Sequence, residues 1–384
     1  MGKYMGKIEN INIQLLCFNE EHTFYYGLSE YGNRVYEYDT ETKRTNLLVK
    51  LDVTSFRNEW FRMVYCCGKL LLIPRLFGDL LIVDVDTKEI VHKDLKALHL
   101  EKYYGNIGFF HFVYGEEVYL FCRVPAEVFI LNIKTMNIKK ESWLSYFDSH
   151  EIETPSFTRK EMSFLSRKDG NLYIIDFEKK KFDMLETTEV NSALLCGGCT
   201  EKYMYIYKRE ENLLYKISKN KQVTCTLDVA HYGICTFLLG IGSKLYLFLE
   251  NQKILCLEDA DSKIYSFEWK ENIQRKLIDW ELGGLVFKEL EHTEENLLVN
   301  ARYIHIDDSN KQEEIGFPIP YNQSVEMFSQ IIIDDIREEC CINGLSEKNL
   351  CLESYICLVD KKEQEERVEN VGNKIFQSII VKGL

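Results

Sequence analysis

One short phrase recurs seven times along this chain: a β run, a turn residue, a Thr/Lys-rich turn and a second β run. The clear copies are RVYEYDTETKR around Asp39, LLIVDVDTKEI around Asp84, VFILNIKTMNI around Asn132 and LYIIDFEKKKF around Asp176. Weaker copies centre on Ser218, Glu258 and Asp307. Successive turn residues lie 45, 48, 44, 42, 40 and 49 positions apart. That period suits four short antiparallel strands per unit, each unit too small to bury its own faces and so obliged to stack on the next. A chain built this way folds as a closed array of small sheets.

Within a unit, apolar or alternating runs of about five to seven residues are separated by Gly, Asn, Asp or charged breaks. The third unit divides into strands over Phe109–Tyr114, Val118–Cys122, Val128–Leu131 and Ile138–Ser142. The fifth divides into Ala193–Cys199, Tyr203–Tyr207, Leu213–Ile217 and Val223–Leu227. With 23 Tyr, 22 Phe and only 5 Pro, the composition suits pleated surfaces on which aromatic and β-branched side chains pack across strands. A helical solenoid of similar period needs 3.6-residue apolar spacing, which these segments lack. The expectation is an all-β fold, a seven-bladed β-propeller of four-stranded antiparallel blades over residues 11–320, with six or eight blades as the alternatives.

Runs such as VYEYDTETKRTNLL resemble the third and fourth strands of kelch-type and related bacterial propellers, with Asp39, Asp84, Asn132 and Asp176 at the corresponding turn. The resemblance covers roughly positions 11–317 and is architectural. The paired Gly that closes the second kelch strand is not repeated: Gly197-Gly198 and Gly283-Gly284 sit on or before first strands. The Trp-Asp dipeptide of the other large propeller family is missing. The resemblance therefore implies a fold and carries no catalytic residue with it.

From about Tyr321 the repeat is lost, and residues 321–384 form a C-terminal extension. It holds a candidate closing strand, Ser329–Asp334, and two expected helices, Glu347–Val359 with Ser346 as N-cap and Asn373–Val381. Ile375, Phe376, Ile379 and Ile380 line one apolar face of the second.

The formal net charge of -14 repels nucleic acid and anionic lipid at long range, so neither is an expected partner. No run reaches the ~20 apolar residues that span a bilayer, and the opening MGKYMGKIENINIQ lacks a secretory apolar stretch. Thirteen cysteines, an odd number without such a signal, read as reduced thiols. The expected setting is cytoplasmic, and the Lys/Glu/Ile/Asn-rich, Pro-poor composition reads as bacterial.

Aligning the units on their turn residues exposes a column of arginines. Arg75, Arg123, Arg167 and Arg209 each lie nine positions before Asp84, Asn132, Asp176 and Ser218, while the other units hold Glu30, Leu249 and Leu298 there. In a four-stranded meander the third-to-fourth turns lie at one end of the sheet and the ends of second strands at the other. The arginines therefore form an arc opposite the turns, beside long inter-unit links that carry Trp60, Tyr104, Trp143 and His231. A guanidinium pairs bidentately with carboxylate or phosphate, so this arc suits an anionic ligand with sugar-like or apolar surface. Against this stands a plain alternative: each Arg lies over its own blade and pairs with a neighbour such as Glu210 or Glu116.

Other chemistry is sparse. Cys196-Gly-Gly-Cys199 has the spacing of half a zinc site without a matching second pair, so no metal is expected. No cofactor motif accompanies His99, His111, His150 or His231. Two functions follow. The first is a non-catalytic interaction or ligand-recognition module that binds a protein partner or an anionic small molecule or glycan. The alternative is an enzyme of hydrolase, lyase or epimerase type acting on an anionic carbohydrate at the channel mouth, with a His or a Glu such as Glu59 as acid/base beside the arginines.

Overall fold

The computed structural model describes residues 8–29, 33–51, 60–74, 79–94, 108, 110–122, 127–141, 155–166, 169–186, 195–251, 253–266, 274–281, 284–290, 302–307 and 309–320. The expected C-terminal helices and the candidate closing strand lie outside these residues. Among the described residues the regular structure is all β.

Each repeat unit folds as four consecutive antiparallel strands, spanning 13–50, 60–94, 110–140, 156–185, 195–228, 235–266 and 274–315. The fourth and sixth units join into one eight-stranded sheet through a single parallel pair, Phe157 with Ile241. Strand positions agree with the sequence pattern to within two residues in the third and fifth units: Phe110–Tyr114, Glu117–Phe121, Val128–Asn132 and Asn137–Lys140, then Leu195–Cys199, Tyr203–Lys208, Leu213–Ser218 and Val223–Asp228.

Burial explains the pattern. Second and third strands such as Lys69–Pro74 and Asp79–Asp84 are buried on both faces, which is why they read as continuous apolar runs. Fourth strands such as Arg44–Lys50 and Val223–Asp228 alternate with solvent. Between consecutive units lies an apolar cluster: Leu71, Ile73 and Ile82 pack on Leu120 and Phe129, and Phe112 and Tyr119 pack on Phe164 and Phe177. Further round, Leu214 packs with Leu238 and Leu247. Each fully buried Leu or Phe side chain contributes about 1.5–3 kcal/mol of transfer free energy, so these interfaces, rather than any single sheet, hold the fold together.

The last unit packs on the first. Val286, Tyr303 and Ile315 share a cluster with Ile13, Leu16 and Tyr25. The Tyr303 hydroxyl accepts the Ile13 N–H and lies 3.3 Å from the Ile13 carbonyl. Strand Ile8–Asn10 pairs antiparallel with Pro318–Pro320, so closure uses residues on both sides of the repeats, beginning ahead of the expected start at Ile11.

All seven turn residues end a third strand. The side-chain oxygen of Asp39, Asp84 and Asn132 accepts backbone N–H groups two and three residues on. This local bond is what an Asp or Asn offers a turn. Lys69 donates to Asp84 at 2.6 Å, and that contact with the Thr87 and Asp86 N–H groups holds the carboxyl at about 2. Asp39 is also lowered, chiefly by the Thr42 hydroxyl. A carboxyl depressed below its unfolded value near 3.9 adds stability at higher pH and loses it as pH falls through the folded value. The urea midpoint should therefore drop as pH is lowered from about 4 towards 2, and Asp84→Asn should make that drop shallower. Identical slopes in the two proteins would show that the Asp84 contacts do not form in solution.

Candidate functional site

The sheets have two chemically different ends, and units five and six are described at both. At the end opposite the turns, strand Tyr203–Lys208 stops one residue before Arg209. Its Nη2 donates to the Thr236 carbonyl at 3.2 Å, while its Nε is buried and makes no hydrogen bond. This places Arg209 in the second-to-third connection, as the meander geometry requires. It donates to a backbone carbonyl of the next unit rather than pairing with Glu210. Glu116, the other carboxylate named as a partner for the arginines, instead takes Lys134 at the turn end.

The link to the sixth unit brings His231 to the same end. His231 is exposed and its ring lies 3.7 Å from that of Tyr232. Tyr232 packs on the cluster that contains Cys196, Tyr207 and Cys235. Asn251 fixes the link by donating to the Tyr232 carbonyl at 2.9 Å. Of the residues singled out from sequence, Arg209 and His231 thus share one end of one inter-unit interface. Arg75, Arg123, Arg167, Tyr104 and Trp143 lie outside the described residues. So does the side chain of Trp60, whose backbone opens strand Trp60–Cys66 opposite Pro74. His111 is buried in a first strand opposite Leu120, and Glu59 is not among the described residues.

The CGGC segment resolves differently from its spacing. Residues three apart on a strand face opposite ways, so Cys196 joins the cluster between units five and six and Cys199 the one between units four and five. The two thiols cannot close on one ion. Cys196 instead meets Cys235: its Sγ lies 3.1 Å from the Thr236 carbonyl and 3.9 Å from that of Cys235. Thr236 O therefore receives both the Cys196 thiol and the Arg209 guanidinium. The hydrogen bond from Cys235 pulls the Cys196 thiol down despite burial, with Arg209 adding to the effect. Burial pushes the Cys235 thiol well up, and the neighbouring Cys196 adds to it. Among the described residues no group of three or more His, Cys, Asp or Glu could hold a metal ion.

At the turn end of the same two units, a buried polar network surrounds Asp259. Thr200 and Tyr205 both donate to its Oδ1 at 2.8 Å. Lys216, itself buried, donates to the Asp259 carbonyl at 2.7 Å and to Ser262 at 2.9 Å, with its ammonium 4.0 Å from the Tyr203 ring centroid. Burial, with the Asp259 charge beside it, drives the Tyr205 phenol far above its ordinary range. Nothing in the sequence marks these residues, because they sit on four different strands or turns and meet only when two units stack.

No family model matches the chain, and no curated protein matches it in sequence. Among solved structures it is similar to PorZ, a bacterial surface component of the type-IX secretion system of Porphyromonas gingivalis, at 9% identity and a TM-score of 0.49 over 81% of this chain. The chain spans 39% of the length of PorZ. It is similar to virginiamycin B lyase from Staphylococcus aureus at 10% identity and a TM-score of 0.47, covering 73% of this chain and 94% of the lyase. The β-propeller domain of Cps50 (Swd1) from Myceliophteria thermophila gives 11% identity and 0.48, over 77% and 99%. No activity or ligand is taken from them, and the strand pairing above carries the architecture. No helix among the described residues is long and apolar enough to cross a membrane.

Proposed function

We propose that this protein is a seven-bladed, kelch-like propeller that works as a non-catalytic recognition module, taking an anionic small molecule or acidic glycan on the face opposite the Asp/Asn turns. The observation that carries the reading is Arg209: one guanidinium nitrogen is anchored on Thr236 O and another, Nε, is buried without a hydrogen bond. Anchoring removes part of the entropy that a free arginine loses on binding, and a charge-assisted bond to the ligand then yields more. Arg75, Arg123 and Arg167 occupy the same repeat position in the sequence. The blade number is supported by apolar clusters that join each unit to the next and the last to the first. A reducing, cytoplasmic setting fits the free thiols of the nine described cysteines.

The enzyme alternative draws no support from the described residues. His231 packs against the Tyr232 ring, and His111 is buried in its strand.

The test is a panel of uronic-acid, sialylated and sulfated glycans with nucleotides, probed at low and high salt. We expect one anion class to bind, its affinity to fall with salt, and Arg209→Glu and Arg123→Glu each to cost about tenfold, the loss of one charge-assisted bond. Binding left unchanged by both reversals would sink the proposal. Capture of neutral sugars or of protein alone would replace it with a different module.

A further inference from the structure

The meeting of Cys196 with Cys235 shares Arg209 with the proposed anion face but has its own chemistry. Cys196 lies on the first strand of the fifth unit and Cys235 opens the first strand of the sixth. The two are 39 positions apart in the chain, yet they sit in one buried cluster, with the Cys196 Sγ 3.9 Å from the Cys235 carbonyl oxygen and the Cys235 Sγ 3.2 Å from the Phe237 carbonyl. Two cysteines brought this close on adjacent inner strands need little movement to join. Arg209 reaches the same Thr236 oxygen as Cys196 and so places a fixed positive charge beside it.

We propose that Cys196 and Cys235 form a redox site at which a hydroperoxide ties the fifth unit to the sixth through a disulfide. Cys196 is the attacking sulfur, because a thiolate beside a guanidinium is favoured over one in a purely apolar site. Its sulfur attacks one peroxide oxygen. The S–O bond forms, the O–O bond breaks, and the departing hydroxide takes the proton released by Cys196 to leave as water. Cys196 is then a sulfenic acid. The Cys235 sulfur attacks it, the S–S bond forms, the S–O bond breaks, and the Cys235 proton leaves with the hydroxyl as a second water. Two thiols and one hydrogen peroxide become one disulfide and two waters. The sulfurs give up two electrons and the peroxide takes them. A small dithiol reverses the reaction by exchange.

The other buried cysteines offer an internal comparison. Cys199 and Cys256 are both pushed up to about 11, first of all by burial. Neither is held by an arginine in the described structure.

The experiment is graded hydrogen peroxide on the full chain, followed by alkylation in denaturant and peptide mass spectrometry. The expected product is a Cys196–Cys235 cross-link at doses that leave Cys199 and Cys256 reduced. In Cys235→Ser a dimedone-reactive sulfenic acid should accumulate on Cys196. Arg209→Gln should slow cross-linking about tenfold at neutral pH, because the guanidinium no longer stabilises the Cys196 thiolate. The wild-type map needs no variant and so stands even if one fails to fold. Oxidation spread over exposed Cys67 and the other thiols with no 196–235 cross-link overturns the proposal. So does a rate indifferent to Arg209→Gln.

Discussion

Gly240→Ala is expected to cost more than about 3 kcal/mol of unfolding free energy, an overpacking penalty at the severe end of its range. A Cβ built on Gly240 falls 1.6 Å from the Cys199 carbonyl oxygen and 3.2 Å from Ser156 Cβ. The first of these is backbone, so no side-chain rotation relieves it. The contact arises where the inner strands of three units crowd together: the Gly240 N–H donates to the Ser156 hydroxyl oxygen at 2.8 Å, and Gly198 faces the same Ser156 hydroxyl. Substitution must push the fifth and sixth units apart and break the lone parallel pair between the fourth and sixth. Gly242→Ala is the comparison. It has a φ of +59 with open space around it, so it should lose only the ~1 kcal/mol of a left-handed non-glycine residue. Urea denaturation of the two variants measures the difference. Equal losses would mean that the three inner strands do not approach this closely in solution.

Asp259→Ala should be nearly as damaging, at about 3–5 kcal/mol, because it strands buried polar groups rather than removing contacts. The Thr200 and Tyr205 hydroxyls lose their shared acceptor, while the buried Lys216 ammonium keeps only the residue 259 carbonyl and Ser262 as neutral acceptors. Asp259→Asn keeps an acceptor oxygen in place and should lose only about 1–2 kcal/mol. The difference between Ala and Asn is read from urea midpoints at neutral pH, with exposed Glu250→Ala as the surface control. If Asp259→Ala falls within the range of the control, the network is not formed.

The sequence made different parts of this molecule legible to different degrees. The turn residues were readable because their chemistry is local: an Asp at the end of a strand bonds N–H groups two and three places on, and this needs no other unit. Strand positions were readable because buried second and third strands carry uninterrupted apolar runs. The face occupied by Arg209 followed from topology alone. Its partner did not, since Thr236 O belongs to the next unit and a backbone carbonyl leaves no trace in residue type. The CGGC spacing was misleading as a pair. The odd separation of Cys196 and Cys199 on a strand already sends them to opposite faces, and that signal was present in the sequence. Cys235 could be matched to Cys196 only after the inner strands of two units were seen side by side. The two-residue strand Ser156–Phe157 is likewise too short to declare itself, yet it carries the link between the fourth and sixth units.

Closure has a consequence for how the chain is made. The Tyr303 hydroxyl that grips Ile13 lies 290 residues further along, and Pro318–Pro320 must exist before Ile8–Asn10 has anything to pair with. Synthesis runs from the N-terminus, and early domains ordinarily fold as they emerge. Here the first unit emerges with its Ile13, Leu16 and Tyr25 face bare, and its natural cover, the seventh unit, is translated only after the other six. A nascent chain of this protein therefore presents one apolar surface until the seventh unit emerges, and a stop codon anywhere before that unit would leave the surface exposed for good.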